Sequence, residues 1–296
     1  MFSTPGASDM SDTPILDIQN LNVRFDTPKG EFHAVKDVSF TMGREKLAIV
    51  GESGSGKTQT GRAILGLTQG RITADRMTFH GSNLVGLSPL AWREIRGRRI
   101  AMVMQDPKYS LNPVMTIGDQ LIEAGQRHKG PAGPRQRALE MLEAVKIRDP
   151  QRVFRAWPHE LSGGMGQRAM IAMMLMAEPE LLIADEPTSA LDVTVRLQVL
   201  AILDDLVKTR NMGLIFISHD LNLVRTFADR VLIMYGGRVV EELPARDLYS
   251  ATHPYTKGLL ACAPEVDNPK KRLAILSRDP AWADAPQVRT PAGGRP

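Results

Sequence analysis

The sequence predicts an α/β domain whose parallel sheet is preceded by antiparallel strands and interrupted by a helical insert. Three observations carry that expectation. The short apolar runs KLAIVG (46–51), ELLIADEP (180–187) and GLIFISHD (213–220) suit parallel strands covered on both faces. A helical stretch, LDVTVRLQVLAILDDLVKT (191–209), separates the last two, and strand-helix-strand alternation favours a parallel sheet. Over about 107–178, MTIGDQLIEAG and PRQRALEMLEAV bring helical spacing instead, with Gly-Pro punctuation at 130–134.

In chain order, ILDIQNLNVRF (15–25) alternates apolar residues at Ile18, Leu21, Val23 and Phe25 and reads as a strand, with a second at AVKDVSF (34–40). KLAIVG follows, then a helix from Lys57 to about Leu67. RIAMVMQD (99–106) reads as a buried strand that Pro107 prevents from continuing. After the insert and the two later strands, VLIMYGGRVVEE (231–242) carries a hairpin signal with Gly236-Gly237 at its turn. An ordered domain over 13–263 is expected, between a polar, flexible start (1–12) and a proline-rich, weakly ordered tail (264–296).

Composition is that of a soluble globular protein: 43% hydrophobic and 24% charged over 296 residues, ample for a buried core. No run approaches the roughly 18 to 20 apolar residues needed to span a bilayer. The first residues lack the basic-then-apolar order of a secretory signal. The single cysteine, Cys262, excludes an internal disulfide and a multi-cysteine metal site within the chain, and fits a cytoplasmic setting. The formal charge is +4. The basic run REIRGRR (93–99) suits nucleic acid, an acidic headgroup surface or a phosphate, or simply a solvated helix face. The methionines of MIAMMLMAEPE (170–180) read as adaptable core packing in preference to a soft-metal patch.

GESGSGKT (51–58) follows an apolar strand, precedes a helix and fits G-x-x-x-x-G-K-[ST]. In such a loop backbone N–H groups curl around phosphate oxygens and the helix N-terminus favours the anion. Gly51, Ser53, Gly54, Ser55, Gly56, Lys57, Thr58 and the nearby Thr60 are the nucleotide-binding candidates. Lys57 reaches toward β- and γ-phosphates, and Thr58 offers its hydroxyl to Mg²⁺. ELLIADEP ends in two carboxylates: Asp185 suits magnesium, and Glu186 suits orienting or deprotonating an attacking water. A helix cap before Pro187 is the plainer alternative. His219 and Gln105 also end apolar strands, where each can act beside a γ-phosphate, Gln105 through magnesium or the attacking water. LSGGMGQR (161–168) opens a helix with two adjacent glycines, costly in backbone entropy and unneeded in a core helix.

With these motifs in this order, the chain resembles the nucleotide-binding subunit of an ATP-binding cassette transporter, from Ile15 to about Leu260. QDPKYSLNPVMTIGDQL (105–121), DEPTSALDVTVRLQVL (185–200) and HPYTKGLL (253–260) are similar to the oligopeptide/dipeptide/nickel importer branch. The resemblance implies a P-loop NTPase (RecA-like) core with an antiparallel β subdomain and an inserted helical signature subdomain. It implies that Ser162, Gly163, Gly164 and Met165 face the γ-phosphate of ATP held by another subunit in a head-to-tail dimer, that Asp192 links the two sites, and that Phe25 stacks on adenine. An ordinary strand core position is the alternative for Phe25. The implied partners are a second, different nucleotide-binding subunit and two transmembrane permease subunits whose coupling helix enters a groove beside Gln105. A periplasmic substrate-binding protein acts indirectly. The setting is the cytoplasmic face of the bacterial inner membrane, and the cargo is peptides, nickel or a metallophore, opines or another small solute. ATP closes the dimer and hydrolysis reopens it.

This chain departs from the pattern at three points. Met165 replaces the general glutamine, Gly166 stands where the branch usually has arginine, and Cys262 alone cannot hold the iron–sulfur centre that many members carry. Soluble cassette ATPases acting on nucleic acid or ribosomes are a second class; they usually carry long coiled coils, zinc insertions or tandem cassettes. The single cassette without a sustained heptad run disfavours a nucleic-acid partner, and the branch-like stretches disfavour export.

Overall fold

The structure is a computed structural model and describes residues 14–126, 133–189, 191–262, 279–283 and 287–289. The expected flexible start (1–12), most of the 264–296 tail, most of the punctuation at 130–134 and Ala190 lie outside those residues.

The elements run β1 (Leu16–Thr27), β2 (Gly30–Met42), β3 (Lys46–Val50), α1 (Lys57–Ile64), β4 (Arg71–Thr73), β5 (Arg76–Phe79), β6 (Ser82–Asn83), α2 (Pro89–Ile95) and β7 (Ile100–Val103). They continue with α3 (Ile117–Gly125), α4 (Pro134–Ala144), α5 (Pro150–Arg155), α6 (Gly163–Leu175), β8 (Leu181–Asp185), α7 (Val193–Arg210), β9 (Gly213–Ser218), α8 (Leu221–Phe227), β10 (Arg230–Tyr235), β11 (Arg238–Pro244), α9 (Pro254–Cys262) and β12 (Val288–Arg289).

The main sheet has the order β12-β11-β10-β3-β9-β8-β7. Neighbours from β10 through β7 pair in parallel, while β10 and β11 form the expected hairpin, Tyr235 opposite Arg238. Alternation within the strands explains their unbroken apolar runs. Ala48 and Val50 of β3, Leu182 and Ala184 of β8, and Leu214 and Phe216 of β9 enter one core with the helices of the insert and α7. Leu47, Ile49, Leu181, Ile183, Ile215 and Ile217 enter a second core on the opposite face, with α1 and the antiparallel sheet. Both faces are therefore buried, which a parallel sheet requires.

The antiparallel sheet is built on β1, which pairs with β2 on one side and with β4 and β5 on the other. The β4–β6 strands have no sequence signal of their own. They form because Met77 and Phe79 of β5 drop into the second core opposite β1. Helix α1 stops at Ile64, short of the expected Leu67. Arg96 intercepts its end, its guanidinium donating to the carbonyls of Leu65 (2.7 Å) and Gly66 (2.6 Å) and lying over the Trp92 ring. That contact also explains part of the basic run: Arg98 pairs with Glu94, and Arg99 pairs with Glu180 at 2.7 Å. Three of its arginines are thus held by acceptors in the chain.

Two pieces of the C-terminal region are among the described residues. Pro280–Ala283 forms a 3-10 turn, and β12 pairs in parallel with β11 at Glu241 and Glu242. Trp282 packs its ring against the tyrosines Tyr235 and Tyr255.

Candidate active site

The carboxyl ends of β3, β8 and β9 lie side by side, and the crevice beyond such ends is where open α/β sheets take ligands. The loop after β3 is GESGSGKT. Gly56 takes φ +101°, and a Cβ there would stand 2.7 Å from the Ala34 carbonyl oxygen, so only glycine fits. Lys57 is buried, and its Nζ donates to the carbonyls of Gly51 and Glu52, both at 2.8 Å. Burial lowers the Lys57 pKa, against the opposing charges of Glu186, Asp185 and Glu52. The Ser55 hydroxyl is buried with no hydrogen-bond partner in the protein. A curled loop that excludes side chains, a cation held only by neutral carbonyls and an orphaned hydroxyl together fit a phosphate chain.

Asp185 ends β8 and accepts the Thr58 hydroxyl at 3.0 Å. Burial raises its pKa, the Thr58 bond opposes that shift, and the Glu186 charge reinforces it. Among the described residues no group of three or more His, Cys, Asp or Glu side chains could hold a metal by itself. The donors that fit magnesium here are one carboxylate, one hydroxyl and one amide, a set that phosphate oxygens and water complete.

At Glu186 the backbone leaves the strand with φ +45°, a left-handed conformation uncommon outside glycine. Its N–H donates to the Ile217 carbonyl at 3.0 Å, and its own carbonyl accepts both N–H and hydroxyl of Ser189 at 3.2 Å. This turn delivers the carboxylate between two side chains. Gln105 Nε2 donates to Oε2 at 3.1 Å, and His219 Nδ1 lies 3.2 Å from Oε1. All three residues line one cleft of about 500 Å³ with Ser53, Gly54, Gly56, Lys57 and Thr58.

Two expectations need correction or extension. Thr60 is fully buried, and its hydroxyl is spent on the Gly56 carbonyl at 3.0 Å, the back-bonding typical of a threonine inside a helix; it offers nothing to the cleft. Phe25 is half-buried against the second core, and Phe32 is its direct partner across β1 and β2. Direct partners share a face. Phe32 is the more exposed of the two, at 57%, and lines the cleft with Ala34 and Gln59. Its signal, an aromatic in a polar hairpin tip, is weak without the register.

The signature segment lies elsewhere. Ser162 caps α6 by accepting the Met165 N–H at 3.4 Å, with Ser162 and Gly163 exposed. Both border a separate cleft of about 230 Å³ that also touches Gln105, Pro107, Gly166 and Leu191. Asp192 caps α7 through the Val195 N–H at 3.0 Å. Gly166 is buried, and a Cβ there would meet Pro107 at 3.6 Å, ordinary contact, so nothing in the backbone demands glycine. One chain therefore presents a phosphate loop with its carboxylates in one cleft and a glycine-led helix start outside it.

The family model described as ABC transporter matches residues 35–189. The oligopeptide transport ATP-binding protein OppD of Salmonella typhimurium is 44% identical over 272 residues, covering 90% of this chain and 81% of the relative. The dipeptide transport ATP-binding protein DppD of Bacillus subtilis is 43% identical, covering 95% and 86%. Among solved structures, the dimeric bacterial ABC transporter cassette MJ0796 superposes with a TM-score of 0.70 at 26% identity, covering 78% of this chain and 99% of the cassette. Another structure of MJ0796, a post-hydrolysis dimer bound to ADP and Pi, gives the same values. Motifs, two-sheet architecture and similarity over most of the chain agree: the chain belongs to the ABC transporter family of ATP-binding cassettes.

Proposed function

We propose that this chain is the ATP-hydrolysing subunit of an importer, powering uptake of peptides or a related small solute through separate membrane subunits. One observation carries the hydrolytic part: Glu186 is held between Gln105 and His219 on the wall of the cleft that Lys57 and Thr58 share. The peptide class rests on the oligopeptide and dipeptide transport names of relatives at 43–45% identity. Nickel, a metallophore or an opine is the alternative small solute in this proposal.

Glu186 orients and deprotonates the attacking water, with His219 and Gln105 fixing its two oxygens. Lys57 exchanges its carbonyl partners for phosphate oxygens. Thr58, Gln105 and Asp185 hold Mg²⁺, which when bound supplies neutralisation of phosphate charge. Ser162, Gly163 and Gly164 serve ATP held by a second cassette, a different chain arranged head-to-tail, and Asp192 lies at the junction. The separation of the two clefts supports that division. Closure on ATP and reopening after hydrolysis drive two permease subunits, whose coupling helix enters the cleft beside Gln105, on the cytoplasmic face of the inner membrane. No helix among the described residues is long and apolar enough to cross a membrane, so the pore belongs to other chains in this reading. A periplasmic binding protein supplies the solute.

Affinity purification from membranes tests this. Two membrane-spanning subunits and a second cassette are expected, with ATPase activity rising when loaded binding protein is added. Recovery of nucleic acid or ribosomes alone overturns the reading.

Phe25 and Phe32 together form the aromatic wall for the base. Phe32→Ala is expected to weaken ATP binding about fivefold or more while leaving inorganic triphosphate binding unchanged, since base stacking is worth about 1–3 kcal/mol. Nucleotide titration of the full chain measures it. Unchanged ATP affinity in F32A with a loss confined to F25A would return the role to Phe25 alone.

A further inference from the structure

The HPYT segment that opens α9 has no part in the hydrolytic arrangement above, yet it touches the phosphate loop. Tyr255 is fully buried, and its hydroxyl accepts the Glu52 N–H at 3.1 Å. That N–H belongs to the same peptide plane as the Gly51 carbonyl, which accepts Lys57 Nζ at 2.8 Å. One plane of the loop is therefore gripped at both ends, by a lysine that must leave for phosphate and by a tyrosine that need not.

Tyr255 is itself held on several sides. Its N–H donates to His253 Nδ1 at 3.2 Å. The turn before it is pinned to the buried Glu241 carboxylate, which accepts the N–H groups of Thr252 (2.7 Å) and His253 (3.2 Å). Its ring meets Tyr235 at 4.5 Å and Trp282 at 6.0 Å between centroids, and Trp282 also reaches Tyr235 at 5.8 Å. Trp282 comes from the C-terminal region, whose β12 lies against β11 at Glu241.

We propose that Tyr255 is a positioning residue of the ATP site and that Trp282 makes the C-terminal region part of it, the two forming a strut that holds the Gly51–Glu52 peptide in its phosphate-binding orientation after Lys57 lets go. The proposal rests on the chain binding ATP, which the wild-type titration establishes independently. Tyr255→Phe keeps the ring stack and removes the acceptor of one part-buried amide, a loss on the scale of a single hydrogen bond.

The test uses full-length chain for nucleotide affinity and the assembled complex for kinetics. Y255F is expected to raise KM for ATP about fivefold with kcat within about twofold, and to lower the nucleotide-free melting temperature by no more than a few degrees, the scale of one hydrogen bond. Amide exchange at Glu52 should accelerate in Y255F and in W282A, and return toward wild type in W282F. Wild-type KM in Y255F, or unchanged Glu52 exchange in W282A, overturns the strut. Should Y255F fail to fold, the W282A and W282F exchange comparison decides alone. Failure of the wild-type chain to bind ATP would instead strike the functional reading above.

Discussion

Replacing Glu186 with glutamine is expected to slow ATP hydrolysis by about 10² to 10⁴-fold, the usual contribution of a positioned general base, while ATP binding persists. The substitution is isosteric, so the amide can still accept from Gln105 Nε2 and remain beside His219. What it loses is basicity. Electrostatics favour retained binding, because burial raises the Asp185 pKa and the Glu186 charge raises it further. Removing that negative charge lets Asp185 ionise more readily for magnesium and relieves repulsion of the triphosphate. Phosphate release by the assembled complex, measured beside nucleotide affinity, checks both halves. Wild-type turnover in E186Q would remove Glu186 from its role. Loss of binding together with turnover would make it a structural residue instead.

The parallel sheet was legible because burial on both faces leaves a mark that needs no partner: β3, β8 and β9 are apolar at every position that enters either core. The phosphate loop was legible for a similar reason, since its glycines and lysine are contiguous in the chain. The β4–β6 strands were not, because they depend on pairing of β4 and β5 with β1 across some fifty or more residues of chain, on β6 pairing with β5, and on burial of Met77 and Phe79 in a core built by distant strands. Thr60 and Phe32 show the same limit at the site. Adjacency in sequence put Thr60 near the loop, but the helix turns its hydroxyl back to Gly56. Phe32 faces the cleft only through its register with Phe25. Tyr255 lies 203 residues from its partner Glu52, and no local pattern encodes that contact. The basic run at 93–99 is ambiguous as sequence because its role lies in a tertiary contact: Arg96 sits on the end of α1, where its charge meets the Leu65 and Gly66 carbonyls.

Gly164→Asp is expected to reduce ATPase activity of the assembled complex by about 10²-fold, comparable to losing a preorganised donor to a reacting anion. Two causes act, and the structure separates them. A Cβ at Gly164 would stand 2.5 Å from Val195 Cγ1, so any side chain forces Val195 or the helices α6 and α7 to shift near the start of α7, where Asp192 is the cap. The added carboxylate also places negative charge where a phosphate is proposed to bind. As a helix residue alone, aspartate in the first turn is favourable, so the loss cannot come from weakened helix formation. Gly163 supplies the control. A Cβ there finds only Leu191, at 4.0 Å, so Gly163→Asp adds charge without the clash, while Gly164→Ala adds the clash without charge. Met165→Gln should stay within about twofold of wild type, the range of an unremarkable surface change. The Met165 side chain contributes only a sulfur 3.7 Å from Arg152 Nη2, and glutamine can accept that same donor. A severe M165Q phenotype with a mild G164D would show that side chains, and not backbone amides, make the half-site. If G163D is harmless and G164A matches G164D, the helix contact with Val195 is what matters, and the proposed phosphate lies elsewhere.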